Sequence, residues 1–147
     1  MARHFTLYED KLQVRVRGVE ANRAVLGEIL KALASDHFDG IEPYLAADVE
    51  MDVHGFPIMN GSWSGKANVL AALRRNFSLV TDQRPRILEV VEADDIIAVR
   101  FEEGGRLVES RALYAIRGIQ WFRFEDGKLK YFEEYLQPVP VLPEGTP

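Results

Sequence analysis

The stretch WFRFEDGKLKYFEEYL, residues 121–136, decides the fold. Aromatic and aliphatic side chains crowd both sides of Asp126-Gly127, a dipeptide that closes two-residue hairpins because both of its positions tolerate positive φ. Two antiparallel strands follow. Working back toward Arg86, the chain stays rich in Ile, Val, Phe and Tyr and is punctuated by Ala93-Asp94-Asp95 and Gly104-Gly105. The whole of Arg86 to Leu136 therefore reads as four consecutive antiparallel strands. The piece from Arg106 to Phe124 is far longer than a mean strand of about 5–6 residues, which predicts a bend or bulge, placed at Gly118, and a strongly curved sheet. Downstream, Pro138, Pro140 and Pro143 stop the ladder and leave a Pro-rich tail over 138–147.

Upstream the period changes. Val25, Leu26, Ile29, Leu30 and Leu33 recur at three- and four-residue spacing, so Val19 to Ala34 is a helix with one apolar stripe. Residues 1–18 are left as an N-terminal arm. Asp39 and Glu42 resemble a capping box for a second, very short helix carrying Ile41, Tyr44 and Leu45. Val49 to His54 alternates, with Val49, Met51 and Val53 on one side and Glu50, Asp52 and His54 on the other, and it ends at Gly55. Ser64 is placed to cap a third helix with the stripe Val69, Leu70, Leu73 and Phe77, and Thr81 to Pro85 then breaks the pattern. The order is ααβαββββ, an α+β arrangement in which three N-terminal helices bury their stripes on one face of the curved antiparallel sheet. Helices and sheet enclose a cone, and such cones make apolar pockets.

Composition narrows the function classes. The 147 residues suffice for one domain with a real core, set here at 19–137. A net charge of −5 with interleaved signs gives no nucleic-acid surface. The absence of cysteine excludes a disulfide framework and thiolate metal sites and suits a reducing compartment, the cytoplasm. No apolar run approaches the roughly 20 residues of a membrane span, so a soluble, unexported chain is expected, with no membrane partner.

Three stretches resemble the NTF2-like superfamily, in particular its SnoaL-like polyketide cyclase and ketosteroid isomerase branch. They are ALASDHFDGIEPYLAADVEMDVHG, GSWSGKANVLAAL and WFRFEDGKLKYFEEYL, which together span most of residues 25–136. The resemblance implies the cone-shaped (cystatin-like) fold. It also implies that Asp52, three residues before the strand-ending Gly55, stands where the isomerases hold their general base. The position of the isomerases' helix-borne Tyr holds Ile29, and that of their late-strand protonated Asp holds Gln120. An apolar Ile donates no hydrogen bond, so classical steroid isomerase activity is not expected, while the Gln120 amide remains a donor to an oxyanion. The limonene epoxide hydrolase branch needs an Asp-Arg-Asp group. Arg100-Phe101-Glu102 offers only an Arg-x-acid piece, with Val99 and Phe101 facing the pocket and Arg100 turned away.

Two functional classes follow. The leading one is a cofactor-independent enzyme that abstracts a proton next to the carbonyl of a small hydrophobic compound, as an isomerase, cyclase or dehydratase (a lyase) does. Asp52 is then the base and His54, on the same strand face, its partner or proton shuttle. Gln120 serves as a donor to the substrate, and Tyr114 and Phe122, on Gln120's face, join Phe56 and Trp63 in the apolar wall. Of the adjacent pair Glu133 and Glu134 one must point inward, and the resemblance favours Glu134, which then either pairs with a cation or serves as a second acid beside Asp52, the plain alternative being an edge salt bridge. The other class is a non-catalytic ligand-binding or dimerisation module of the same fold, with epoxide hydrolysis ranked below both. No metal is expected, because His4, His37 and His54 show neither H-x-x-x-H spacing nor a facial triad. Trp121, with Leu113, Ile119, Arg111, Arg117 and Arg123, falls on the opposite sheet face and suits a homodimer contact.

Overall fold

The computed structural model describes residues 19–141; the N-terminal arm, with His4, and the last six residues of the tail lie outside them. The first helix, α1, is Val19–Ala34 and ends where its stripe predicts. Leu26, Ile29 and Leu33 are buried, and Val25 and Leu30 pack at their edge. The second helix, Phe38–Tyr44, is a 3-10 helix rather than an α-helix. Pro43 lies inside it and supplies no N–H for an α-helical bond. No side chain caps it: Asp39 instead pairs with Arg74, and Glu42 with Lys66 at 3.0 Å.

Strand β1, Leu45–His54, leads to a short strand that the sequence did not signal, β2, Gly61–Ser64. Ser64 therefore ends a strand instead of capping a helix. Helix α2, Lys66–Ser78, starts after Gly65, whose φ of 84° is left-handed. It buries Val69, Leu70 and Leu73, as its stripe demands. The last four strands are β3, Val80–Ala93; β4, Ile96–Leu107; β5, Leu113–Glu125; and β6, Lys128–Pro138. Their number and sequence match expectation, and Asp126 and Gly127 take φ values of 51° and 74° in the β5–β6 turn.

Three boundaries differ from the reading of the sequence. β1 begins at Leu45, expected on the short helix, and not at Val49. Thr81 to Pro85 belongs to β3, with its register shifting between Thr81 and Arg84. Gly104-Gly105 is not a turn, for β4 runs through it and the chain reverses beyond Leu107. A Cβ on Gly105 would meet the Tyr114 ring at 2.7 Å, so the glycine admits an aromatic ring from the neighbouring strand. Gly118 does the same for Phe101, at 2.6 Å.

The sheet order is β2-β1-β6-β5-β4-β3. All neighbours are antiparallel except β1 and β6, which run parallel, so the sheet is mixed rather than wholly antiparallel. It curves around the three helices. Gly55, with φ of 90°, lies so close to β6 that a Cβ would strike the Leu136 carbonyl oxygen at 1.8 Å. The fully buried residues Leu26, Ile41, Leu45, Val49, Met51, Ile97 and Val99 form the centre of the core. At about 1.5–3 kcal/mol for each large aliphatic side chain removed from water, this inner face is what holds helices to sheet. One ion pair reinforces it: Arg23 of α1 grips Glu92 of β3 with two hydrogen bonds, of 3.2 and 2.8 Å, and the Glu92 side chain is 1% exposed.

Candidate active site

Between helices and sheet lies an interior cavity of about 130 Å³. Its walls are aliphatic and aromatic, drawn from α1 (Leu33), α2 (Leu73) and the inner faces of β4, β5 and β6. Strand parity selects the inner side chains. On β4 they are Val99, Phe101 and Glu103; on β5, Ile116, Gln120 and Phe122; on β6, Phe132, Glu134 and Leu136. Cross-strand register then places Gln120 beside Glu134 and Phe122 beside Phe132. The two phenyl rings stack with centroids 4.9 Å apart and planes 15° from parallel.

Glu134 is the carboxylate of this cavity. It is part-buried, lines the cavity, and is densely surrounded by protein atoms. Gln120 Nε2 donates a hydrogen bond to Glu134 Oε2 at 2.7 Å. Burial pushes the carboxyl up to about 7; the Gln120 hydrogen bond opposes that rise and the charge of Glu103 adds to it. Glu92 shows the contrast, since that buried carboxylate is held by a guanidinium, while Glu134 has only a neutral amide among the described residues. Glu103 forms a second polar corner, accepting a 2.7 Å hydrogen bond from the Tyr114 hydroxyl. Gln83 and the buried Asn76 complete the polar lining.

Asp52 and His54 lie elsewhere. Met51 lines the cavity, and its neighbours Asp52 and His54 point to the outer face of the sheet, so the expected convergence of Asp52, His54 and Gln120 does not occur. The physical reason is the alternation itself: Val49, Met51 and Val53 take the core side, and a strand cannot present adjacent residues to the same face. The parallel register of β1 with β6 sets Glu50, Asp52 and His54 beside Tyr131, Glu133 and Tyr135. There Tyr131 donates to Asp52 at 2.9 Å and to Glu133 at 2.6 Å, and Tyr135 donates to Glu133 at 2.7 Å. His54 Nε2 lies 3.3 Å from Glu133, and the imidazole stacks on the Tyr135 ring at 4.9 Å. The tyrosine hydrogen bonds hold the Glu133 carboxyl below the usual range. Burial, with the same acceptors, raises the Tyr131 hydroxyl. Asp52, His54 and Glu133 bring one ligand atom each within 4.8 Å of one another, a grouping that β1 alone could not reveal.

The remaining expected residues divide. Gln120, Phe122 and Glu134 line the cavity; Tyr114, Phe56 and Trp63 do not. Tyr114 packs on Phe56 with ring centroids 5.7 Å apart, and Trp63 sits at the core edge opposite Met51. Arg100 turns outward, as expected, and pairs with Glu89. Glu103, absent from the sequence expectation because Gly104-Gly105 signals a turn, shares the parity of Val99 and Phe101, and β4 running through those glycines carries it to the cavity. A wider groove of about 820 Å³ runs along the far end of β3, β4 and β5, among Arg84, Arg86, Arg106 and Arg117. Neither Glu134 nor Gln120 borders it, and Glu102 lies 3.1 Å from Arg86 and 3.8 Å from Arg117. The interior cavity, which holds Glu134 and Gln120, is therefore the candidate site.

The pattern of the SnoaL-like domain family matches residues 26–132. The chain belongs to the SnoaL-like domain family. Solved structures agree on the fold of this SnoaL-like domain. A Jannaschia sp. CCS1 protein with the provisional name SnoaL-like polyketide cyclase superposes with a TM-score of 0.73 at 12% identity, covering 85% of this chain and 91% of that one. A provisionally named isomerase of Rhodopseudomonas palustris gives 0.67 at 19% identity, over 76% and 88%. An NTF2-like protein of Burkholderia pseudomallei K96243 gives 0.68 at 22%, over 78% and 88%. No curated protein matches the chain. At such identities the likeness carries the NTF2-like fold and leaves the chemistry to the residues of this SnoaL-like domain. No helix among the described residues is long and apolar enough to cross a membrane.

Proposed function

We propose that this SnoaL-like domain is a cofactor-independent enzyme that removes a proton next to the carbonyl of a small hydrophobic compound, as an isomerase, cyclase or dehydratase does, with Glu134 as the base. One observation carries this reading: a carboxylate enclosed in an apolar cavity, tuned to about 7 and held by a single neutral donor. A general base works best when its pKa lies near the operating pH, and burial without a cation is the means of raising a carboxyl to that point. In the ionised form Glu134 takes the α-proton. Gln120 fixes the carboxylate through one N–H and keeps a second N–H for the substrate oxygen, where negative charge develops. The stacked Phe122 and Phe132 give the planar enolate a flat apolar wall.

The assignment moves the base from Asp52 to Glu134, since proton abstraction needs a group within reach of the bound compound. The test is deuterium incorporation at the α-carbon of a panel of cyclic ketones. Exchange is expected in wild type and Asp52→Asn and is lost in Glu134→Gln; exchange unchanged by Glu134→Gln removes Glu134 from the chemistry. Binding without exchange in wild type would favour the non-catalytic ligand-binding module.

The outer sheet face is the proposed contact with a second copy. Leu113, Ile119 and Tyr135 are exposed there and Trp121 is half-buried. Arg117, within the patch, and Arg100, beside it on β4, are paired with Glu102 and Glu89, so the apolar side chains are what a two-fold stacking would bury. Ile119→Arg is expected to shift the mass measured by light scattering from dimer to monomer; a monomeric wild type would contradict the contact.

A further inference from the structure

The size of the cavity bears on what it accepts. Cavities that bury drug-sized ligands run to roughly 300–1,000 Å³. This one holds about 130 Å³, close to the ~150 Å³ apolar cavity that takes up benzene in another protein. A four-ring polycycle is too large for such a space, and a two-ring compound fills or exceeds it. The wall beside the reacting groups is a pair of phenyl rings, Phe122 and Phe132, lying nearly parallel one strand apart, with Gln120 and Glu134 as the next inner pair along the same two strands. A flat ring on that wall has its edge toward Gln120 and Glu134. Leu33 and Leu73, from the helices, close the opposite side with aliphatic surface. An anionic ligand would bring like charge against the ionised Glu134 in a low-dielectric space, where repulsion is strong.

From these observations we infer that the substrate is a neutral carbonyl compound of single-ring size, seated on the Phe122–Phe132 wall, and not a fused polycyclic ketone. The inference rests on the reading of this cavity as the reaction site. Phe132 sets the size limit, because it reaches into the cavity from β6 two residues before Glu134 and is itself only partly buried.

The test measures binding alone, by calorimetry and by thermal stabilisation of the full chain, with 2-cyclohexenone and acetophenone as single-ring probes, 1-decalone as a two-ring probe and a four-ring steroid enone. Wild type is expected to bind at least one single-ring ketone at least about tenfold tighter than the four-ring compound, the discrimination that steric limits in a packed pocket supply. Phe132→Ala is expected to improve 1-decalone relative to the single-ring ketones by a similar factor. Phe132→Leu serves the same comparison if the alanine variant unfolds, and the wild-type ranking decides by itself. Equal or tighter binding of the four-ring enone, or no binding of any single-ring ketone, overturns the inference. Binding and chemistry separate cleanly: single-ring ketones that bind without exchanging their α-protons refute the proposed reaction and leave the size limit standing. Exchange by Glu134 on a large ketone, with no single-ring binding, does the reverse.

Discussion

Glu133 and Glu134 are adjacent, chemically identical and on one strand, yet they occupy opposite worlds. Glu133 faces outward among Tyr131, Tyr135 and His54, accepts short hydrogen bonds from both tyrosines with His54 at 3.3 Å, and has its carboxyl lowered by the tyrosine hydrogen bonds. Glu134 faces the cavity, meets one amide, and has its carboxyl raised by burial to about 7. The period-2 alternation of β6 is enough to produce both. The difference teaches that the number and kind of hydrogen-bond donors, set by strand parity, decides whether a carboxylate is a stable anion or a base poised near neutrality.

The largest effect is on chemistry. If Glu134 is the base, Glu134→Gln reduces α-proton exchange by about 10²–10⁴-fold, the range that positioned acid–base groups contribute, while Glu133→Gln and Asp52→Asn leave it nearly unchanged. Exchange by wild type is expected to rise with pH through about 7, as Glu134 ionises.

Stability should separate the pair next. A carboxyl raised from 4.5 to about 7 in the folded state binds its proton more tightly there than in the unfolded chain. Its contribution is complete below pH 4.5 and is lost as pH rises toward 7, a loss of about 3 kcal/mol at 1.36 kcal/mol per pH unit. Glu134→Gln keeps a partner for Gln120 and abolishes that titration, so urea unfolding at pH 8 is expected to show the variant gaining on wild type by about that amount relative to pH 4.5. Parallel stability curves would contradict the enclosed site. Glu133 has the opposite sign: its lowered carboxyl stabilises the fold above the usual carboxylate range, and that contribution disappears as pH falls.

The smallest effect sharpens the outer half of the comparison. Tyr131→Phe removes the hydroxyl that bridges Asp52 and Glu133. It is expected to cost about 1 kcal/mol in urea unfolding at neutral pH and to let the Glu133 carboxyl rise toward its ordinary value, without altering exchange.

Much of the fold was legible in local pattern. The stripe of α1 gave its end and Asp126-Gly127 gave the β5–β6 hairpin; the irregularity expected at Gly118 lies instead between Arg123 and Phe124, and Gly118 makes room for Phe101. The 3-10 helix differs from the expected short α-helix because Pro43 interrupts it, and Gly104-Gly105 misled because glycine marks close packing as readily as a turn. The parallel pairing of β1 with β6 was invisible, since nothing in either strand's own sequence names its neighbour. That pairing alone brings Glu133 to Asp52 and His54.

The candidate site was legible in pieces. Parity sets Phe122 on Gln120's face, and the resemblance rather than parity points to Glu134; all three line the cavity. Asp52 does not, and the alternation of Val49, Met51 and Val53 already contained the answer: the apolar side faces the helices, so the polar side faces out. A resemblance in the spacing of Asp52 to Gly55 outweighed that simple rule. Glu103 needed the true end of β4 to be seen at all.

The measurement that bears most directly on the account is a carbon-13 NMR titration of the side-chain carboxyls, with Glu133 and Glu134 assigned by single Gln substitutions. The account predicts that Glu134 titrates near 7 and Glu133 below the ordinary carboxylate range. A Glu134 carboxyl that titrates near 4.5 would show that the cavity does not tune it, and the base would have to be sought elsewhere.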